Sequence, residues 1–147
     1  MNYAYYETAA GLVEIGCDDA IFSLRKVDVP EHPHCPTALS DRAAAQLTEY
    51  FAGSRTTFDL PIRPTGTAFQ MAVWQALLDI PRGETRTYGQ IAASIGKPGA
   101  SRAVGMACNR NPIWILIPCH RVVGSNKKLT GYAGGLEMKQ ILLDLEK

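Results

Sequence analysis

Residues 87–110 read TYGQIAASIGKPGASRAVGMACNR, and their punctuation decides the fold of the second half of the chain. Thr87 and Gln90 have capping-box spacing, in which a hydroxyl and an amide satisfy orphan N–H groups at a helix start. A short helix is expected to run from there through Ile95, before the turn Gly96-Lys97-Pro98-Gly99. A second helix is expected over 100–110. Two short helices joined by a glycine-bearing turn form a candidate helix-turn-helix. The second helix carries Arg102 and Arg110, with small residues at Ala100, Ala103, Gly105 and Ala107. Small side chains let a helix approach a nucleic-acid groove, and they equally let two helices pack closely; both uses stay open.

Upstream, Thr67 and Gln70 make another capping box. Phe69, Val73, Ala76, Leu77 and Ile80 follow on one helical face, and Pro81 ends the run. Downstream of Asn111-Pro112, the apolar residues 113–117 read as a buried strand leading into Pro118-Cys119-His120-Arg121-Val122-Val123. A glycine-rich loop over 131–135 precedes a last helix, from Leu136 to about Glu146. Towards the N-terminus, residues 12–15 and 21–27 are β-rich and separated by turn-forming residues 16–20. A proline- and histidine-bearing loop (29–36) and a helix over 39–51 that stops at Gly53 come next. Proline-broken residues 58–66 read as a linker. The expected class is α+β: a small N-terminal β-sheet lobe with a helix (1–60), structural in role, then a mainly helical lobe (61–147) containing the helix-turn-helix.

The 147 residues, 46% hydrophobic and 20% charged, suit one domain or two small lobes and exclude a disordered chain. The longest apolar run is the five residues 113–117, far short of the ~20 that cross a bilayer. No basic-then-apolar leader opens the sequence, and a soluble, cytoplasmic protein is expected. The net charge of +1 hides an asymmetry: residues 1–60 carry four basic and nine acidic side chains, giving −5, and residues 61–147 carry eleven and five, giving +6. A basic half is the footprint of a protein that meets a polyanion. Cys17, Cys35, Cys108 and Cys119 have gaps of 18, 73 and 11 residues, which is neither a zinc-ribbon spacing nor a secreted disulfide framework.

Cys119 lies where the apolar run ends, behind a proline and beside the one histidine of the basic half. A thiolate is a strong nucleophile, and an adjacent imidazole or cation lowers a thiol's pKa to about 3.5–7.5. In a regular strand Cys119 and His120 would point to opposite faces. Either the chain bends there, or a water links the two groups. A buried packing cysteine fits the local sequence equally well.

Ile117-Pro118-Cys119-His120-Arg121-Val122 resembles the active-site signature of the O6-alkylguanine-DNA alkyltransferases. Residues 69–84, Tyr88, Arg102-Ala103-Val104-Gly105, Asn111-Pro112, residues 131–135 and Glu146 occur in that family's order, with no insertion or deletion from Tyr88 to Glu146. The resemblance covers residues 58–147 well and 8–28 loosely.

The resemblance implies DNA repair by direct reversal. An alkyl group would pass from O6 of guanine, or O4 of thymine, in double-stranded DNA onto Cys119, once per molecule. His120 would deprotonate Cys119 through a water, and Glu146, next to last in the sequence, would orient the histidine. Tyr88 would protonate N3 of the flipped base. Arg102 would fill the hole in the duplex, with Ala103, Tyr88, Arg110 and Arg121 also at the DNA, approached through the minor groove. Asn111 would tie the turn before the strand. Trp114, Tyr132, Ala133 and Gly134 would wall the base pocket, Trp114 restricting large alkyl groups. Lys139 reads as a solvated surface charge, and Cys108 as a small packing residue.

No cofactor, metal or membrane is implied, and the protein is expected to be a monomer. Cys17 falls where some relatives have a zinc ligand, but Phe22 stands where a histidine is needed. His32, His34 and Cys35 read as loop. Two other function classes remain: a non-catalytic binder of alkylated DNA, against which Cys119 speaks, and a cysteine hydrolase, which would leave the helix-turn-helix without a purpose.

Overall fold

The computed structural model describes residues 1–129, 132 and 135–147. The chain forms two compact units: Met1–Thr65 with Pro112–Trp114, and Gly66–Asn111 with Ile115–Lys147.

In the first unit, β1 (Asn2–Thr8), β2 (Gly11–Cys17) and β3 (Ile21–Lys26) form an antiparallel sheet in that order. β1 adds to the two strands legible in the sequence. Its register pairs Tyr3 with Gly16 and Tyr5 with Glu14. Helix α1 (Ala38–Phe51) starts at Thr37, whose side chain accepts from Ser40 N in a capping box. Ala43, Leu47 and Tyr50, spaced four and three apart, are fully buried, and α1 packs on β1 and β2.

Both sheet edges are covered, which removes the unpaired backbone that invites edge-to-edge association. On β1, Cys35 N donates to Tyr3 O at 2.8 Å and Tyr5 N donates to His34 Nδ1 at 3.1 Å. On β3, Ile21 N donates to Pro61 O and Arg63 N to Ile21 O, at 2.9 and 2.8 Å. Further along, Leu24 N donates to Pro112 O and Trp114 N to Leu24 O, each at 2.9 Å. These bonds fasten Ile62 and its neighbours to the first unit, and they draw residues 112–114 into it.

The second unit opens with α2 (Ala68–Leu78), where Gln70 N donates to Thr67 Oγ1 at 3.1 Å and Thr67 N to Gln70 Oε1 at 3.0 Å. The same reciprocal pair, Thr87 and Gln90, starts α3 (Tyr88–Ser94). Gly96, at φ +77°, ends it: Gly96 N donates to Ala93 O and Lys97 N to Ala92 O, the pairing that satisfies last-turn carbonyls. After the turn runs α4 (Ser101–Asn109), and α2, α3 and α4 pack on one another. Val73, Leu77, Ile91, Ala92 and Val104 are buried among them. Trp74 Nε1 donates to Ala107 O at 2.9 Å. The small residues of α4 therefore divide: Ala107 packs inward and Ala103 faces out.

Residues 113–117 are not a strand. Ile113 makes a single bridge to Leu24, and Ile115 takes φ +70° in a turn. All five side chains are buried, so an apolar run alone could not separate strand from buried turn. Cys119–Arg121 is one turn of 3-10 helix, followed by β5 (Val122–Val123), which pairs in parallel with β4 (Arg86–Thr87). Helix α5 (Leu136–Leu145) buries Lys139 and Leu142. Among the described residues, no helix is long and apolar enough to cross a membrane.

Candidate active site

The chain bends at the cysteine. Cys119 N donates to Ile117 O at 2.8 Å and Arg121 N to Pro118 O at 3.0 Å. This tight turn frees Cys119 and His120 from strand alternation. Cys119 is 4% exposed, and its sulfur accepts a hydrogen bond from Asn111 Nδ2 at 3.2 Å. The same amide donates to Ile117 O at 2.8 Å. Asn111, which the resemblance implied would tie the turn, thus bonds both the turn and the Cys119 sulfur.

His120 is fully buried, with Nε2 2.8 Å from Glu146 Oε2. A carboxylate only accepts, so Nε2 carries the proton and Nδ1 the lone pair. Nδ1 is buried with no hydrogen-bond partner among the described residues. Burial pulls the His120 pKa down against the opposing pull of Glu146, so the ring is neutral in the resting protein.

Burial also pushes the Cys119 thiol up, with Asn111, the Lys139 charge and Tyr132 acting in the lowering direction. Desolvation outweighs the nearby donors and cation, so the sulfur keeps its proton at neutral pH. Cys108 is likewise buried, its pKa pushed up to about 12 by desolvation.

Two basic residues differ from expectation. Arg121, expected at the DNA, turns inward: Nε and Nη2 grip Glu146 at 2.8 and 2.9 Å, and Nη1 donates to Ile80 O at 2.7 Å. Lys139, read as a surface charge, is fully buried. Its Nζ donates to Tyr88 Oη at 3.4 Å, and burial lowers its pKa while Cys119 and Cys108 oppose the shift. A signal for it exists in the sequence: Lys139, Leu142 and Glu146 are three and four apart, one helical stripe.

A cleft of about 670 Å³ is lined by Tyr88, Ser101, Arg102, Gly105, Asn109 and Lys128, among others. Arg102, Ala103 and Arg110 are exposed on or beside α4. Tyr88 lies against the helix, since a Cβ on Gly105 would come 3.8 Å from its ring. Trp114 is held with the first unit's sheet through its bond to Leu24 and is not among the cleft-lining residues described. Tyr132 is half-buried. Ala133 and Gly134 lie outside the described residues. Among the described residues, no group of three or more His, Cys, Asp or Glu could hold a metal.

Residues 1–64 match the model of the 6-O-methylguanine DNA methyltransferase ribonuclease-like domain, and residues 68–147 that of the same enzyme's DNA-binding domain. The methylated-DNA–protein-cysteine methyltransferase of Methanosarcina acetivorans is 48% identical over 153 residues, covering 99% of this chain and 98% of that protein. That of Mycolicibacterium paratuberculosis is 47% identical over 154 residues, covering 100% and 93%. The crystal structure of Mycobacterium tuberculosis OGT in complex with DNA superposes with a TM-score of 0.93 at 45% identity, covering 100% of this chain and 93% of that one. Two models of one family taken in order, and near half identity across whole relatives, leave one assignment: the chain belongs to the 6-O-methylguanine DNA methyltransferase family.

Proposed function

We propose that this protein repairs O6-alkylguanine in double-stranded DNA by moving the alkyl group to Cys119 Sγ, in the cytoplasm and as a monomer. The observation that carries the reading is the pairing of a thiol held by Asn111 with a neutral His120 whose Nδ1 is buried without a partner among the described residues. Such a nitrogen is an idle base, and in the proposed mechanism a bridging water links it to the sulfur.

The thiol proton passes to Nδ1, and Glu146 stabilises the imidazolium that results. Sγ attacks the alkyl carbon as the carbon–O6 bond breaks. The electron pair stays with the guanine, which takes a proton at N3 from Tyr88; the proton held by His120 then passes through solvent to the Tyr88 phenolate and restores both groups. The product thioether has no leaving group at protein pH, so one molecule reacts once. The buried Lys139 ammonium faces the developing thiolate and supports it electrostatically.

The exposed face of α4, with Ala103 and Arg110, approaches the minor groove. Arg102 fills the gap left by the flipped base, offsetting part of the few kcal/mol of lost stacking. Tyr132 walls the base pocket.

Intact-mass spectrometry after mixing with duplex DNA containing O6-methylguanine tests the reading. One methyl group on Cys119, with no second turnover, is expected. Tight binding without a mass change would support a non-catalytic binder, and product released catalytically would overturn the single-use mechanism.

A further inference from the structure

Glu146 does not reach His120 unaided. Its carboxylate is gripped on both oxygens by Arg121, whose side chain is 12% exposed and whose remaining bond runs to Ile80 O. Arg82 Nη2 donates to the neighbouring Leu145 O at 2.8 Å. Gly83 makes room for the same segment: at φ +83°, a Cβ there would sit 3.1 Å from Glu146 O. The turn between α2 and β4 therefore anchors Arg121 through Ile80, supplies Arg82, and leaves space for the main chain at Gly83.

We infer that Arg121 is a positioning residue for the transfer, its fork on Glu146 aiming Oε2 at His120 Nε2 and leaving Nδ1 as the ring's basic nitrogen. The inference rests on the repair reading above. A glutamate's last torsion is broad, so one hydrogen bond from a histidine leaves the carboxylate free to rock. Two parallel bonds from a planar guanidinium fix its plane. With that plane fixed, the imidazole has one tautomer, its proton on Nε2 and its lone pair on Nδ1.

The charge of Arg121 acts on the same ring. Among the described residues, the charged or titratable groups acting on His120 are Glu146 at the end of α5, Lys139 within α5 and Arg121 on its own turn, where Cys119 is its chain neighbour. Helix α2, which packs on that turn, carries no charged residue. Glu146 favours the imidazolium, whereas burial, Arg121 and Lys139 oppose it. Removing the Arg121 charge makes His120 easier to protonate, and a ring already protonated cannot take the thiol proton. The acid limb of the transfer rate then moves to higher pH. Removing the Glu146 charge moves it to lower pH.

Three variants separate fork from charge: Arg121→Gln, Arg121→Lys and Glu146→Gln. Single-turnover methyl transfer from duplex O6-methylguanine is followed against pH, and ring 15N NMR reads the tautomer of His120, one of only three histidines. Arg121→Gln is expected to slow transfer about 10- to 100-fold and to raise the acid limb by about one pH unit. Its 15N spectrum should show a mixture of tautomers. Arg121→Lys keeps a cation without a fork; it should leave the limb near its wild-type place and still slow transfer. Glu146→Gln should lower the limb.

Wild-type rate, limb and tautomer in Arg121→Gln, with only a lower melting temperature, would overturn the inference and leave Arg121 a structural staple. If Arg121→Gln does not fold, Arg121→Lys carries the test, and wild-type rate and tautomer there are equally fatal. Absence of methyl transfer in the wild type would strike the repair reading instead. The positioning claim would then be judged by NMR alone, where a wild-type His120 without its proton on Nε2 sinks it.

Discussion

The protein buries two glutamates to nearly the same degree, Glu14 in the sheet at 1% exposure and Glu146 at the end of α5 at 3%, and gives each an arginine. Glu14 accepts from Tyr5 Oη at 2.8 Å and Arg25 Nε at 3.1 Å. Tyr5 Oη in turn accepts the N–H groups of Glu31 and His32, and Arg25 is half exposed and reaches Glu31. That network fastens a loop to the sheet and opens to solvent. The network at Glu146 runs the other way: a largely buried arginine, a buried carboxylate, a buried imidazole, and a nitrogen with nothing to bond among the described residues. Burial and ion pairing do not separate scaffold from chemistry. The unfinished end does, because an unpaired polar atom in a dry interior is costly and persists where it has work to do.

The sharpest test removes the atom at the working end. Cys119→Ala should abolish alkyl transfer while leaving duplex affinity intact, whereas Cys17→Ala, a buried cysteine against Thr37 in the first unit, should transfer at the wild-type rate; mass spectrometry decides. Matched carboxylate changes come next. Glu146→Gln should slow transfer by about 100-fold, and Glu14→Gln should cost about 1–3 kcal/mol in urea unfolding with no effect on transfer. Equal slowing by both variants would break the comparison.

Arg102→Ala should slow repair of duplex by about 10-fold, the loss of part of the stacking offset, and leave reaction with the free alkylated base unchanged. A smaller effect concerns pH. The folded-state pKa of His120 lies below its ordinary 6.5, so below that pH the unfolded chain binds the proton that the folded one refuses. Stability from this group is present above pH 6.5 and lost as pH falls. A His120→Asn variant should show a shallower drop in melting temperature between about pH 7 and pH 5.

The helix-turn-helix was legible because Thr87, Gln90 and Gly96 each act on the backbone within a few residues, so their meaning survives without tertiary context. Asn111, Cys119, His120 and Glu146 stood out through resemblance, and the fold brings the first two and the last two into contact. What the sequence hid depends on distant partners. β1 is held by pairing with β2, and its tyrosines do not alternate as a half-buried strand should. The apolar run 113–117 looked like a strand because burial was its evident property, while the positive φ at Ile115 left no mark in side-chain type. Arg121 and Lys139 were read outward, as cations usually are. Partners at Glu146 and Ile80 turn Arg121 in, and Tyr88 holds Lys139.

The seat made by Ile80, Arg82, Gly83 and Arg121 has a practical corollary. A chain severed after residue 145 would keep every strand and helix described here and most of its buried apolar surface. It would lose the one carboxylate that steadies the imidazole. Such a molecule would pass a circular dichroism check and sit on damaged DNA as before, an obstruction where a repaired base should be.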